Sequence, residues 1–536
     1  MKIHFTPLAR AGRLARLAAP FAALLAVASL HAATSPPPPP GIVIHHSPAS
    51  TGLYLGSPSL CVLSNGDYLA SHDLFGPASN EHQLASGRLY RSTDKGATWR
   101  HVRDFEGFFW TGLFTRDGAT YLLGTDKHHG RVVIRRSIDN GSTWSEPSVL
   151  AGGRWHTAPM PVIEHDGRLW RAIEDAEGGT KWGERYRARM MSASADADLL
   201  DPKSWTFSNP LARDASWLDG IFAAWLEGNA VADPRGDVVN LLRVDTPSVR
   251  EKAAIIRLSK DGSTATFDPA SDFIDFPGGA KKFTIRQDPR GGGYWSIASI
   301  VPDRHAGAGK PAGIRNTLAL IHSQDLRSWE IRSVLLDHPD AAKHGFQYVD
   351  WHFDGDDLIA ACRTAWDDSE GGARNNHDAN FLTFHRWRNF RSLTRQDDVP
   401  MPERVAKKVH ETATLRVTGG AFEVALLESG GTAFSNRAYK WHDVPAELAG
   451  TPFTCLAGGE KPVLSVTATA DTVVRIATAT DQAKIDLAGW TPLALQFYYD
   501  DPRRTRLHLY SRSLKQGESV PLPRGNWTGA ILLLDR

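Results

Sequence analysis

The stretch Ser92-Thr-Asp-Lys-Gly-Ala-Thr-Trp99 returns 45 residues on as Ser137-Ile-Asp-Asn-Gly-Ser-Thr-Trp144. Each copy follows an extended run ending in arginine (Arg88 to Arg91, Arg131 to Arg136) and precedes another extended run. The residue types suit the tip of a hairpin. An aspartate accepts hydrogen bonds from nearby backbone amides, a glycine takes positive φ, and a tryptophan folds back over the turn. A repeat of this length made of short strands reads as one four-stranded propeller blade per unit.

Weaker copies extend the count. Ser194-Ala-Asp196, continuing to Ser204-Trp205, is a box with an insertion; Ser259-Lys-Asp-Gly262 and Ser323-Gln-Asp-Leu-Arg-Ser-Trp329 are two more. With Phe381 to Trp387 as a last strand, five marked units and a closing one predict a six-bladed β-propeller over 42–395, with seven blades as the alternative. The spacing widens along the chain, which lengthens the connecting loops where sites usually lie. A linker over 396–414 follows, holding a short helix at Val405 to Glu411. Strand patterns broken by Gly, Pro and Asp over 415–536 then predict a β-sandwich accessory domain, making the chain all-β. At the other end, residues 1–33 combine basic Lys2, Arg10, Arg13 and Arg16 with an apolar Leu17 to Leu30 and small Ala32 and Ala33. That is a signal peptide, too short for a membrane span, and it predicts a secreted or periplasmic protein. Residues 34–41 are a stiff Pro-rich linker.

Lysines and arginines number 61 against 60 acidic residues, for a net charge of +1, so no global field recruits nucleic acid or anionic lipid. The three cysteines (Cys61, Cys362, Cys455) lie in apolar runs and read as buried thiols rather than a disulfide framework. Seventeen tryptophans exceed what turns alone need and suit stacking on sugar rings. A monomer without cofactor or metal is expected. The Gly278-Gly279-Ala-Lys281-Lys282 run is expected to be a loop with two solvated lysines.

The pattern S-x-D-x-G-x-T-W resembles the Asp-box of sialidases and related β-propellers. The resemblance implies that Asp94 and Asp139 are structural turns, away from any active site. It also supplies site residues. The stretch Glu227-Gly-Asn-Ala-Val-Ala-Asp-Pro-Arg-Gly-Asp-Val-Val-Asn-Leu-Leu-Arg243 resembles the family's strand pair in which a glutamate assists the catalytic tyrosine and an arginine holds the substrate carboxylate. Arg315, on the strand entering a late box, occupies the place of another carboxylate-binding arginine. A planar guanidinium grips a carboxylate through two parallel hydrogen bonds, and a buried glutamate beside a hydroxyl acts as its base. Three features depart from the family. Gly56-Ser57-Pro58-Ser59 stands where an Arg-Ile-Pro element is expected, removing one arginine. Asn80-Glu81-His82 stands where the acid aspartate is expected, leaving that role to Glu81 or His82. Phe346 aligns with the nucleophilic tyrosine, with Tyr348 two residues along.

Histidines at 72, 82, 156, 344 and 377 fall near the expected funnel. A neutral imidazole beside an arginine-bound uronate can remove its C5 proton, which is β-elimination; His72 is the first candidate and His82 the second. Polar clusters around Arg171 and Trp351 are expected to line the cavity and touch substrate. The Asn375-Asn376-His377-Asp378-Ala-Asn380 run suits sugar hydroxyls, a metal or a plain turn. The function expected first is cleavage of a terminal glycosidic bond at a carboxylate-bearing sugar, as in sialidases. A uronate-directed lyase, or a rhamnosidase acting on rhamnose–glucuronate caps, is the alternative, with a non-catalytic glycan-binding propeller third.

Overall fold

The protein is seen in a computed structural model that describes residues 36–77, 79–247, 251–307, 309–399, 410–419, 422–435, 437–459, 464–480 and 485–534. The expected signal peptide lies outside them, as does the expected helix except for His410 and Glu411, which form a strand instead. No helix among the described residues is long and apolar enough to cross a membrane.

From Ile42 to Trp387 the chain builds six antiparallel sheets of four or five strands, beginning at Tyr54, Phe109, Trp155, Ala224, Thr284 and Gly345. Each is laid down from consecutive segments with one exception. The sixth borrows Ile42–His46, which pairs antiparallel with Phe381–Trp387. The strands bury both faces, as Val238–Asp245 illustrates. Val239 and Leu241 pack with Ile285 of the fifth sheet and with Phe283 just before it, while Leu242 and Val244 pack with Ala188 of the third. Apolar runs without strict alternation are what a strand covered on both sides needs. Shared cores join the first sheet to the second through Leu89 and Leu122, and the second to the third through Ile134 and Ile173. Others join the fifth to the sixth through Leu320 and Phe346, and the sixth to the first through Leu382 and Leu60. The six sheets therefore form a closed ring.

The repeated turns staple that ring. Asp94 accepts from the Thr98 amide at 2.9 Å and the Ser92 hydroxyl at 2.7 Å, and Asp139 does the same with Thr143 at 2.8 Å and Ser137 at 2.8 Å. The indole N–H of Trp99, Trp144 and Trp329 each donates to the carbonyl three residues back, at 3.2, 3.1 and 3.0 Å. Gly96, at φ +91, lies flat on Phe384 of the preceding sheet in the ring, and Gly141 lies on Leu69 in the same way. Two constraints meet at these glycines, a left-handed backbone and no room for a Cβ.

Beyond His410 the strands fall into a four-stranded and a seven-stranded sheet. Leu415, Val417 and Val466 from one share a core with Val474, Ile476 and Leu532 from the other. The three cysteines are free and buried.

A Cβ at Gly96 would fall 2.1 Å from the Phe384 ring. Gly96→Ala should therefore lower unfolding free energy by about 1–3 kcal/mol through overpacking and backbone strain. Denaturant unfolding of the variant should show a lower midpoint with the same slope.

Candidate functional site

Three inner strands interrupt their hydrogen-bond ladders at one level of the ring. Phe109–Arg116 shifts register between Phe109 and Gly112, Ala224–Ala232 between Leu226 and Asn229, and Gly345–Asp354 between Gln347 and Asp350. Inside each interruption stands a non-glycine residue with positive φ: Trp110 at +48, Glu227 at +57 and Tyr348 at +55. Such backbone is strained for a residue with a side chain, and bulges re-aim side chains. All three line one cavity of about 550 Å³. The Tyr348 bulge is held from behind by Lys282, whose ammonium donates to the Val349 carbonyl at 2.8 Å. Lys281 and Lys282 are thus buried, not solvated; Lys281 is paired with Glu251, and burial pulls Lys282 down to about 8.

The Tyr348 phenol and the Glu227 carboxylate line the same cavity, close enough for the carboxylate charge to act on the phenol. Arg243 Nη1 donates to Glu227 Oε2 at 2.7 Å, with both side chains buried. Burial alone would raise Glu227, but the Arg243 charge, with His156 and the Tyr348 hydroxyl nearby, holds it below the usual carboxylate range. Burial and the Glu227 charge push the Tyr348 phenol up, and Arg243, Arg315 and Arg363 pull the other way. Arg315 and Arg363 lie 5.8 and 5.0 Å from the Tyr348 ring centre. Arg315 donates to the Gln347 side-chain oxygen at 2.6 Å, and Arg363 to the His377 carbonyl. Among the described residues neither guanidinium has a carboxylate within salt-bridge distance, and the Arg363 Nε has no partner at all. Burial lowers both arginines, Arg315 to about 10, so both still carry charge at neutral pH. The cavity is built to receive an anion.

The third arginine therefore comes from the sixth sheet, on strand Asp357–Ala365, rather than from the Gly56 stretch. A Cβ at Gly56 would fall 1.6 Å from Asp73 Oδ1. That position must be glycine because the Asp73 carboxylate fills the space. Asp73 accepts from the Ser57 amide at 2.5 Å and the Trp110 amide at 2.6 Å. Burial lifts its carboxyl to about 6, against the pull of those two N–H groups and of Arg363. Among the described residues it is the carboxyl of this cavity poised to hold a proton near neutral pH.

The opposite wall is aromatic. Trp110 packs on His156 at 4.3 Å between ring centres and on His128 at 5.1 Å, and His156 on Tyr186 at 4.5 Å. Glu174 ties this wall to the Glu227 bulge, contacting His156 Nδ1 at 3.1 Å and the Gly228 amide at 3.3 Å. His377 lines the arginine side, and its own loop is an Asx turn on Asn375.

Of the residues expected from sequence, Glu227, Tyr348, Arg243 and Arg315 meet in this cavity. Others do not. His72 and Asp73 are neighbours on one strand and point to opposite sides. His72 is buried between His45 and Tyr90 at 5.2 and 5.8 Å, its Nδ1 on the Asp73 carbonyl, and burial pushes it down to about 3. His82 is exposed on a neighbouring cleft. Glu81 stands behind the aromatic wall, accepting from His129 at 2.7 Å and Arg185 at 2.9 Å, which hold it at about 2 and remove it as an acid. Arg171 is a core residue donating to Thr157 and to the Ala158 carbonyl, both at 2.9 Å. Trp351 is fully buried, its indole on the Thr284 carbonyl at 3.0 Å. His344 is engaged by Asp340 at 3.0 Å away from the cavity. Phe346 packs into the core with Trp295 and Leu318, and the bulge after it lets Tyr348 turn inward.

Glu81, His128 and His129 place ligand-type atoms within 4.8 Å of one another. A divalent cation fits poorly there, because Arg185 Nη1 lies 2.9 Å from both Glu81 Oε1 and His129 Nδ1 and already supplies the positive charge.

No family model matches the chain, and no curated protein does. Among solved structures the chain is similar to a Hadza microbial sialidase, at 15% identity and a TM-score of 0.45, over 65% of this chain and 68% of that one. It is also similar to a Penicillium chrysogenum alpha-L-arabinanase at 15% identity and a TM-score of 0.42, over 66% and 98% of the two chains. Trypanosoma rangeli sialidase matches at 12% identity and a TM-score of 0.40, over 88% and 80%. With likeness this distant, the chemistry has to be read from the chain's own side chains.

A buried guanidinium without a carboxylate is costly, and replacing buried charge by an apolar side chain of similar length is often neutral or stabilising. Arg363→Met should therefore melt no lower than about 3 °C below wild type while losing affinity for N-acetylneuraminate and glucuronate. Calorimetry for both properties decides it. A lower melting point with anion binding intact would place Arg363 in the scaffold instead.

Proposed function

We propose that the protein is an exo-acting glycoside hydrolase of sialidase type, releasing a terminal sugar that bears a carboxylate. One observation carries the reading: a tyrosine and a glutamate lining one cavity, ringed by three buried arginines of which two have no carboxylate partner among the described residues. Arg243, Arg315 and Arg363 clamp the sugar carboxylate. Tyr348 Oη attacks the anomeric carbon as the bond to the leaving oxygen breaks, and the phenol proton passes to Glu227. Asp73 gives its proton to the leaving oxygen. Water then attacks the same carbon and yields a proton to Asp73, while Tyr348 departs and recovers its own from Glu227. A neutral tyrosine paired with a glutamate suits this site, because a carboxylate nucleophile would meet the substrate's own negative charge.

The wider reading goes with it. The ring of six sheets is taken as a six-bladed propeller over 42–395, the paired sheets of 415–536 as a β-sandwich accessory domain, and 1–33 as a leader that delivers the protein outside the cytoplasm. Elimination at a uronate loses its two favoured bases, since His72 and His82 stand outside the cavity.

Tyr348→Phe should lower kcat on sialosides by roughly a thousandfold or more. Asp73→Asn should lower it by roughly 10²–10⁴ on sialyllactose and far less on N-acetylneuraminosyl fluoride, whose leaving group needs no proton. Asp73 acts as an acid only while protonated, so wild-type turnover of sialyllactose should fall as pH rises through about 6. Product mass separates the reaction types. A product short of one water would replace hydrolysis by elimination, and binding without turnover would leave a glycan-binding protein.

A further inference from the structure

Behind the cavity runs a short segment, Ala280-Lys-Lys-Phe-Thr-Ile285, that enters the fifth sheet at strand Thr284–Gln287. None of its residues lines the cavity, yet it touches the supports of Arg243, Arg315, Glu227 and Tyr348, which do. The Ala280 carbonyl accepts from Arg243 Nε at 2.9 Å. Lys281 Nζ donates to the Pro311 carbonyl at 3.1 Å, in the short 3₁₀ turn Pro311–Gly313 whose Ala312 carbonyl holds Arg315 Nε at 3.0 Å. The Phe283 carbonyl and the Ile285 amide bond the Asn229 side chain at 3.2 and 2.8 Å, where the Glu227 interruption ends. Lys282 and Thr284 both donate to the Val349 carbonyl at 2.8 Å, inside the interruption that carries Tyr348.

Lys282 is the member whose presence stability does not explain. Among the described residues no carboxylate lies within salt-bridge distance of its buried ammonium, whose bonds go to the Thr284 hydroxyl at 2.7 Å and the Val349 carbonyl. Asp350 and Glu227 act on it only from further off. A buried charge with no ion partner in contact is destabilising, and the Val349 carbonyl has a second donor in Thr284. What the ammonium adds is stiffness at one point, a charge-assisted bond to backbone beside a residue held at φ +55. We propose that Lys282 is a positioning residue, which through Val349 fixes the bulge that aims Tyr348, and that the 280–285 segment keeps this bulge aligned with the one carrying Glu227. The consequence for turnover rests on the hydrolase reading above; the holding of the bulge does not.

Lys282→Met keeps the length of the side chain and removes its charge. The variant should melt within about 3 °C of wild type. It should bind N-acetylneuraminate in calorimetry with unchanged stoichiometry and affinity, because Arg243 and Arg315 are held by other members of the segment. Per binding site counted in this way, kcat should fall roughly ten- to a hundredfold with KM within about twofold. Sialyllactose and N-acetylneuraminosyl fluoride should lose alike, since the same nucleophile serves both. Unchanged kcat per site, a matching loss of binding, or a loss confined to sialyllactose would overturn the assignment. If Lys282→Met does not fold, Thr284→Val, which removes the other donor to Val349, decides by the same readouts: a severalfold loss of kcat per site supports the role and no loss refutes it. If wild type cleaves neither substrate, the hydrolase reading fails on its own, and crystal structures of wild type and Lys282→Met decide. Tyr348 near φ +55 in the first and relaxed to negative φ in the second supports the role. The same Tyr348 backbone in both refutes it.

Discussion

The contact on which the site depends is the buried pair of Glu227 and Arg243. Two charges out of water are most tolerable when they face each other, as Glu227 and Arg243 do here beside the Tyr348 phenol. With Glu227 satisfied by one arginine, the other two buried guanidiniums remain uncompensated. Each further ionised carboxylate pointing inward would cancel one of the two charges that remain. The excess positive charge is therefore what the cavity offers an anion, and Asp73 offsets part of it once its carboxyl, lifted to about 6 by burial, is ionised.

That arrangement requires backbone geometry a regular strand cannot give. In a plain ladder, Glu227 and Tyr348 would alternate into the packed faces between sheets, where Leu226 and Phe346 now lie. The bulges turn each side chain toward the axis at the cost of a positive φ. The surrounding ladder, the Lys282 ammonium on one side and Glu174 on the other hold these turns in place.

Much of the ring is legible in the sequence because its turns are local. A serine, an aspartate and a tryptophan within eight residues make all their bonds among themselves, so the pattern survives in one dimension. Glu227, Arg243 and Arg315 are legible through resemblance, each fixed by its distance from such a turn. Arg363 and Asp73 are not. Arg363 belongs to an ordinary-looking run, Ala-Ala-Cys-Arg-Thr, and nothing local says that its strand faces the axis. Asp73 sits beside a histidine that looks the better catalyst, and strand alternation decides between them only once the inner side is known. A signal does exist at Gly56, where a missing arginine and a missing side chain together mark space reserved for another group. Arg171 and Trp351 mislead for the opposite reason: large polar and aromatic residues on strand ends also serve as core hydrogen-bond donors.

The pairing of Ile42–His46 with Phe381–Trp387 has a kinetic consequence. This strand, the first among the described residues, can find its partner only after some 340 further residues have appeared. Until then the opening sheet and the last one lack a shared seam, and apolar faces at both stay open. Folding is thereby coupled to completion of the ring, and contacts of such sequence separation form slowly.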